Sequence, residues 1–152
     1  MYQKILVPLD GSKVAECALS HVINLVKGGA VGEVILINVV KVYVPGLGGE
    51  YHGRVDINTI RENLFMESRK YLADVESQLA SEGIKVKKES LEGNRPADTI
   101  SDYAQKNGMD MIVIATHGYT GLKKLMLGSV ALEVLHDSHV PVLLIRPESC
   151  RM

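Results

Sequence analysis

The chain has 152 residues, enough for one domain with a sizeable core, and 46% of them are hydrophobic. Its 17 basic and 18 acidic residues leave a formal net charge of -1. This balance gives no general electrostatic reason to bind nucleic acid or an anionic membrane.

Five short apolar runs are predicted to be β-strands. Four of them are nearly continuous in apolar residues, which is typical of strands covered by helices on both faces. The third alternates Ile84 and Val86 with Lys85 and Lys87, as an edge strand with one face in water would. The predicted strands are residues 5–9, 34–40, 84–91, 111–114 and 142–145.

The segments between these strands carry apolar residues at helical spacing, and capping residues mark their ends. The expected starts and stops are Ser12, Gly28, Gly83, Pro96, Gly108 and Ser129. The resulting order, β-α-β-α-β-α-β-α-β, predicts a doubly wound α/β fold with five parallel strands, right-handed crossovers and helices on both faces.

Two connections are long enough to carry function. Residues 42–56 are rich in glycine and follow the second strand, where a long loop is either functional or disordered. The second connection, "ATHGYTGLKKLMLGS" at residues 115–129, leaves the fourth strand and enters the last helix. Ligands of open α/β sheets bind at such carboxyl ends, and the start of a helix attracts phosphate.

Within this second connection, Gly118 and Gly128 offer backbone freedom and close approach, Ser129 offers a hydroxyl, and Lys123 and Lys124 offer charge. The alternative is that the glycines serve only steric needs and that Ser129 merely caps the helix. The residues alone leave both readings open. No GxxxxGK[ST] or GxGxxG motif is present, so neither a P-loop nor a Rossmann dinucleotide site is indicated.

Asp10 ends the first predicted strand in "VPLDGS". At this position it is a candidate to hold a ribose hydroxyl or to assist a divalent cation. The alternative is an aspartate that shapes the turn or caps the first helix.

"KILVPLDGS", "THGYTGLKKLMLGSVALEVL" and "HVPVLLIRP" together resemble the universal stress protein family over essentially the whole chain. The family's ATP-binding branch carries G-x2-G-x9-G-[ST]. Gly118, Gly128 and Ser129 match its last three fixed positions, whereas Ala115 stands where the motif has its first glycine. The near-complete pattern favours the nucleotide-binding branch.

The resemblance implies one nucleotide-binding domain over residues 1–152 with strand order 3-2-1-4-5. It also implies a homodimer formed through the last strand, and contacts of individual residues with an adenine nucleotide. The adenosine would be lined by Pro8, Leu9 and Asp10. The backbone of Val39 would contact the adenine base, and Ala115 would contact the ribose. The phosphates would be held by Gly118, Gly128, Ser129 and Val130. Asp10 would assist a Mg or Mn ion bound to these phosphates.

We therefore expect an ATP-binding regulatory or binding protein of the stress response. A slow ATP hydrolase is the first alternative, and a nucleotide-free dimeric scaffold the second. His117 is a candidate general base, but the sequence supplies no partner to orient it, so no catalytic residue is assigned.

The apolar stretch at residues 5–9 is too short for a signal sequence or a membrane span. Cys17 and Cys150 form no CxxC pair, and Cys17 is expected to pack as a small apolar residue. We expect a cytoplasmic location, with no nucleic-acid or membrane partner.

Overall fold

A computed structural model describes residues 1–42, 56–116 and 128–146. Two of the predicted features, most of the glycine-rich connection 42–56 and the centre of the connection 115–129, lie outside these ranges. The elements follow the predicted alternation, with a first helical segment split in two. They are β1 (Tyr2–Pro8), α1 (Lys13–Glu16), α2 (Ala18–Lys27), β2 (Val31–Val40), α3 (Ile57–Ser81), β3 (Val86–Glu92), α4 (Pro96–Lys106), β4 (Met111–Ala115), α5 (Ser129–Asp137) and β5 (Val142–Ile145).

The five strands form one parallel sheet in the order β3-β2-β1-β4-β5. This arrangement confirms the predicted fold class and strand order. β3 lies at one edge, as its alternating lysines indicated, and β5 lies at the other.

Two hydrophobic cores lie on opposite faces of the sheet, because successive strand side chains point to opposite sides. From β1, Ile5 and Val7 enter the core under α2 and α3, whereas Leu6 enters the core under α4 and α5. All three side chains are fully buried. The central strand therefore supports both layers of helices.

Helix ends agree with the predicted signals where the chain turns sharply. Ser12 caps α1, its hydroxyl accepting a hydrogen bond from Ala15 N at 3.1 Å, and Pro96 occupies the first turn of α4. Gly83 and Gly108 follow α3 and α4 with φ of 80° and 63°, in the left-handed region that favours glycine.

The first predicted helix is interrupted, which the continuous apolar stripe did not indicate. Cys17 separates α1 from α2, and its N–H bonds the carbonyl of Val14, three residues back, at 3.1 Å, which tightens the turn. Cys17 is 7% exposed and buried with the apolar residues, as expected, and it is also disulfide-bonded, which was not expected. The chain's other cysteine, Cys150, lies outside the described residues.

The 25-residue helix α3 is capped by Asp56, whose carboxylate accepts hydrogen bonds from Thr59 Oγ1 and Asn58 N. These bonds lower the pKa of Asp56. The buried residues of α3 begin at Ser68 and continue with Leu72, Val75 and Leu79. The helix is thus packed on the sheet over its second half.

Candidate functional site

The central strand stops before its neighbours do. The β1–β2 ladder ends at the pair Pro8 and Ile37, whereas β2 continues to pair with β3 as far as Val40. On the other side, β4 pairs with β5 as far as Ala115. A crevice therefore opens above the end of β1, where strand order reverses, which is the usual ligand position in such sheets.

The crevice has a volume of about 290 Å³ and gathers residues from the ends of β1, β2 and β4 and from the helices α1, α4 and α5. Seven of the predicted site residues line it: Pro8, Leu9, Asp10, Val39, Ala115, Gly128 and Val130. Ser129 is exposed and is not among the lining residues, and Gly118 lies outside the described residues, as do His117, Lys123 and Lys124. The binding roles of all nine predicted residues stay predictions.

Further lining residues were missed by the sequence analysis, and all are apolar. They are Ala15, Pro96, Ile100, Ile114 and Ala131. Pro96 and Ile100 belong to the first turns of α4, which follows the edge strand β3 and reaches across the sheet to the crevice. The only signal for them was the position of Pro96 at the start of a helix that follows a strand's carboxyl end.

A larger groove of about 430 Å³ lies between α1, α2 and the end of α3. None of the predicted site residues and no strand residue lines it, whereas ligands of this fold bind at the carboxyl ends of the strands. We therefore take the smaller crevice as the candidate site.

The amino end of α5 opens into this crevice. Gly128 is its N-cap, and no side chain caps the helix within the described residues. The first intrahelical bond joins Leu132 N to Gly128 O at 3.0 Å, so the amides of the preceding turn have no partner in that ladder. Because Gly128 is the cap, the reading of Ser129 as a mere cap is wrong. Among the described residues these amides have no hydrogen-bond partner, and together with the helix dipole they make this end suited to an anion.

Gly128 has φ of -54° and ψ of 137°, a conformation open to any residue. The value of glycine here is therefore the absence of a side chain at the crevice wall, where Gly128 is buried. A longer side chain at this position would add atoms to the wall of the crevice beside the first turn of α5.

Asp10 does shape the turn after β1. Its Oδ1 accepts hydrogen bonds from Ser12 N at 2.8 Å and Ser12 Oγ at 2.6 Å. Among the described residues, Oδ2 accepts no hydrogen bond, and Asp10 itself is exposed at the crevice. The turn role and a ligand role are therefore compatible, with one oxygen for each.

Tyr71 of α3 lies beneath this turn. Burial raises the pKa of its hydroxyl, and the negative charges of Glu16 and Asp10 raise it further. The phenol is consequently neutral at physiological pH and adds no charge beside Asp10.

The described residues contain no group of three or more His, Cys, Asp or Glu side chains arranged to hold a metal ion. A cation at this site would therefore depend on oxygen ligands brought by a phosphate, with Asp10 as the carboxylate of the crevice. None of the helices within residues 1–42, 56–116 and 128–146 combines the length and apolar character of a bilayer span.

Several known proteins are similar to this chain in sequence and in fold. The curated universal stress protein MJ0531 of Methanocaldococcus jannaschii is 39% identical over 96% of this chain and 83% of its own length. MJ0577 of the same organism is 32% identical over 96% of both chains. Its solved structure superimposes with a TM-score of 0.77, covering 96% of each chain at 34% identity.

A more distant structure, a universal stress protein family protein of Arabidopsis thaliana with AMP bound, has a TM-score of 0.66 at 17% identity. It covers 95% of this chain and 91% of that one. At this identity the likeness concerns the fold alone. The sequence profile of the universal stress protein family matches residues 1–146. The chain therefore belongs to the universal stress protein family.

Proposed function

We propose that this protein binds an adenine nucleotide, ATP in the first place, in the crevice above β1 and acts as a nucleotide-dependent regulatory or binding protein in the stress response. The observation that carries the proposal is the uncapped amino end of α5 facing a mostly apolar crevice. A phosphate and an apolar base are the two chemistries that such a combination accommodates.

The phosphates would lie at the α5 amides near Gly128 and Val130, where the helix dipole and backbone donors favour negative charge. Ser129 and Gly118 are assigned to the same phosphates by the family resemblance. Mg or Mn, if it accompanies the nucleotide, would be held by phosphate oxygens and Asp10.

The adenosine would lie between the ends of β1 and β2. Pro8, Leu9, Pro96 and Ile100 supply apolar walls for a base, and Asp10 supplies a free carboxylate oxygen for a ribose hydroxyl. Ala115, which carries one methyl group more than glycine, narrows the ribose side. The Arabidopsis protein was solved with AMP bound, so a protein of this fold can hold an adenine nucleotide.

We rank ATP binding above ATP hydrolysis because of the residues that line the crevice. Its described lining contains one carboxylate, Asp10, with one oxygen committed to Ser12, and no histidine or lysine. Hydrolysis requires a positioned water and stabilisation of charge on the transferred phosphoryl group. We propose slow ATP hydrolysis only as an alternative, which phosphate release at single-turnover enzyme concentration would detect.

A homodimer through β5 remains a prediction from the family resemblance. β5 is the edge strand, and Val142, Leu143 and Leu144 are half-buried in the single chain. Leu132 and Leu135 of the adjacent α5 are exposed. These apolar groups and the open edge are compatible with a second copy.

The test is Gly128→Glu, which adds a carboxylate to the crevice wall beside the α5 amides, next to the proposed phosphate position. We expect the Kd for a fluorescent ATP analogue to rise on the order of 100-fold or more, since like charges in contact cost several kcal/mol. Because Gly128 is buried, the thermal midpoint is measured alongside the Kd, and the part of any loss that comes from size should be shared by Gly128→Gln.

Two control variants separate the effects of the size, the charge and the position of the new side chain. Gly128→Gln has the same size without the charge and should weaken binding less. His136→Glu adds a carboxylate at the exposed far end of the same helix and should leave binding unchanged. If Gly128→Glu binds the ATP analogue as tightly as the parent protein, the phosphate position is wrong.

A further inference from the structure

Three polar side chains form a partly buried chain of hydrogen bonds beside the crevice, hereafter the relay: Ser90 of β3, Ser68 of α3 and Asn38 of β2. Ser68 Oγ lies 2.6 Å from Ser90 Oγ and 2.6 Å from Asn38 Oδ1. Asn38 Nδ2 donates to the carbonyl of Leu9 at 2.8 Å. Ser68 is only 5% exposed, so its hydroxyl depends on these two partners in place of water, whereas Asn38 and Ser90 are half-buried.

The donors in the relay can be assigned. Asn38 Oδ1 can only accept, so the single proton of the Ser68 hydroxyl points to it. The bond between the two serines must then be donated by Ser90. Because Oδ1 is held by Ser68, the NH₂ group of Asn38 is directed at Leu9. The relay therefore fixes which way the amide points.

The relay takes the place of one backbone hydrogen bond between β1 and β2. Leu9 N donates to Ile37 O at 2.8 Å, and the next bond of a parallel ladder would run from Val39 N to Leu9 O. The ladder stops at Pro8 and Ile37, and among the described residues no backbone bond joins Val39 to Leu9. The Leu9 carbonyl is satisfied by Asn38 instead.

This substitution leaves the backbone edge of Val39 facing the crevice. Residues alternate sides along a strand, and Ile37 faces β1, so the N–H and C=O of Val39 also face the β1 side. Beyond the end of β1 that side is the crevice, which Val39 lines. One donor and one acceptor are thus presented next to each other at its wall.

We propose that the relay is a positioning device that reserves this edge of Val39 for the base and thereby sets a preference for adenine over guanine. The inference rests on the proposed nucleotide function. Adenine offers an acceptor at N1 and a donor at its 6-amino group, which complement an N–H and a C=O. Guanine offers a donor and an acceptor at the same two positions, in the reverse order, and leaves both groups of Val39 unpaired.

The relay is tested by Ser68→Ala, which frees the Asn38 amide to rotate and lets Val39 N–H pair with Leu9. The matched control is Ser101→Ala, since Ser101 Oγ is buried and makes no hydrogen bond within the described residues. The Kd values for ATP, GTP and inorganic tripolyphosphate are measured by displacement of a ribose-labelled fluorescent ATP analogue.

We expect Ser68→Ala to raise the Kd for ATP about fivefold to tenfold, because one hydrogen bond to the base is lost. The Kd values for GTP and tripolyphosphate should change less than about twofold. Ser101→Ala should change none of the three. A merely structural role for Ser68 would lower the thermal midpoint and change all three ligands alike, or none.

Two further variants guard against misfolding. Ser90→Ala removes the half-buried end of the relay and should reduce the ATP-to-GTP preference by a smaller factor. Ser68→Thr keeps the hydroxyl and should restore the preference. If the parent protein binds ATP and Ser68→Ala keeps the parent's ATP-to-GTP ratio, the relay inference is overturned while the proposed function stands. If the parent binds none of the three ligands, both are overturned.

Discussion

The two ends of the sheet are built differently. At the amino ends of the strands, Asp110 Oδ2 accepts bonds from Gln3 N at 2.7 Å and Lys4 N at 2.9 Å, and Asp110 N donates to Lys4 O at 2.8 Å. At the carboxyl ends, the backbone ladder of β1 stops early and a side-chain amide takes over its last carbonyl. At the amino end, hereafter the closed end, the backbone groups are paired within the protein. At the carboxyl end, hereafter the open end, some polar backbone groups stay available to a ligand.

The connections follow the same division. Three helices are followed at the amino end by tight turns with glycine at positive φ: Gly29, Gly83 and Gly108. At the carboxyl end, the chain between β2 and α3 and between β4 and α5 is long. The contrast teaches that the closed end should govern stability and the open end ligand binding, with little overlap.

Asp110→Ala should give the largest loss of stability of the changes considered for this contrast. It leaves two strand amides without their charged acceptor, and we expect the free energy of unfolding to fall by about 1–3 kcal/mol. Urea denaturation measures the loss, and titration with the ATP analogue should give an unchanged Kd. Asp110→Asn, which keeps one acceptor oxygen, should lose less. A joint loss of stability and affinity would show that the two ends are coupled.

Ala115→Gly tests the open end, where affinity and stability are expected to move in opposite directions. Removing the methyl group widens the ribose side of the crevice, so ATP affinity should rise by a small factor. The extra backbone freedom of glycine in β4 should cost about 0.5–1 kcal/mol of stability. Ala104→Gly, at a fully buried site on α4, should lose stability with no gain in affinity. Weaker ATP binding by Ala115→Gly would contradict the assignment of Ala115 to the ribose side.

Glu82→Gln should have the smallest effect, and it appears as a change in pH dependence. Glu82 and Lys27 join the ends of α3 and α2 at 2.8 Å, and the hydrogen bond and charge of Lys27 lower the pKa of Glu82 below 4.5. A lowered pKa stabilises the fold above pH 4.5, and that contribution is lost as pH falls through the folded-state value. The variant should be slightly less stable at pH 7 and should decline less steeply in acid.

Urea midpoints between pH 7 and pH 3, at low and high salt, measure this difference. Both side chains are about half exposed, so added salt should bring the parent protein close to the variant at neutral pH. Parallel pH profiles for the two proteins would mean that the ion pair contributes nothing at the closed end.

The closed end was the more predictable one from sequence. Glycine marks turns through its own backbone freedom, so Gly83 and Gly108 could be interpreted without knowing what packs nearby. The interruption at Cys17 could not be predicted, because the apolar stripe of the helix continues across it. Local signals describe the elements well and their breaks poorly.

The open end depended on proximity in three dimensions. Pro8, Val39 and Gly128 were proposed together only through a family pattern, and Ile100 was missed because no periodicity reports which helix crosses a crevice. Asn38 did carry a signal that was overlooked. It is a lone amide in the apolar run of residues 34–40, and a buried polar side chain needs a partner.

The uneven packing of α3 gives it two halves with different local stability. Its buried residues start at Ser68, and the turns before it carry exposed Ile57 and Met66. The Asp56 cap and an exposed ion pair between Arg61 and Glu92 hold that first half. Such contacts open and reform far more readily than a packed core. The helix is therefore expected to fray from its first turn without loosening either hydrophobic layer.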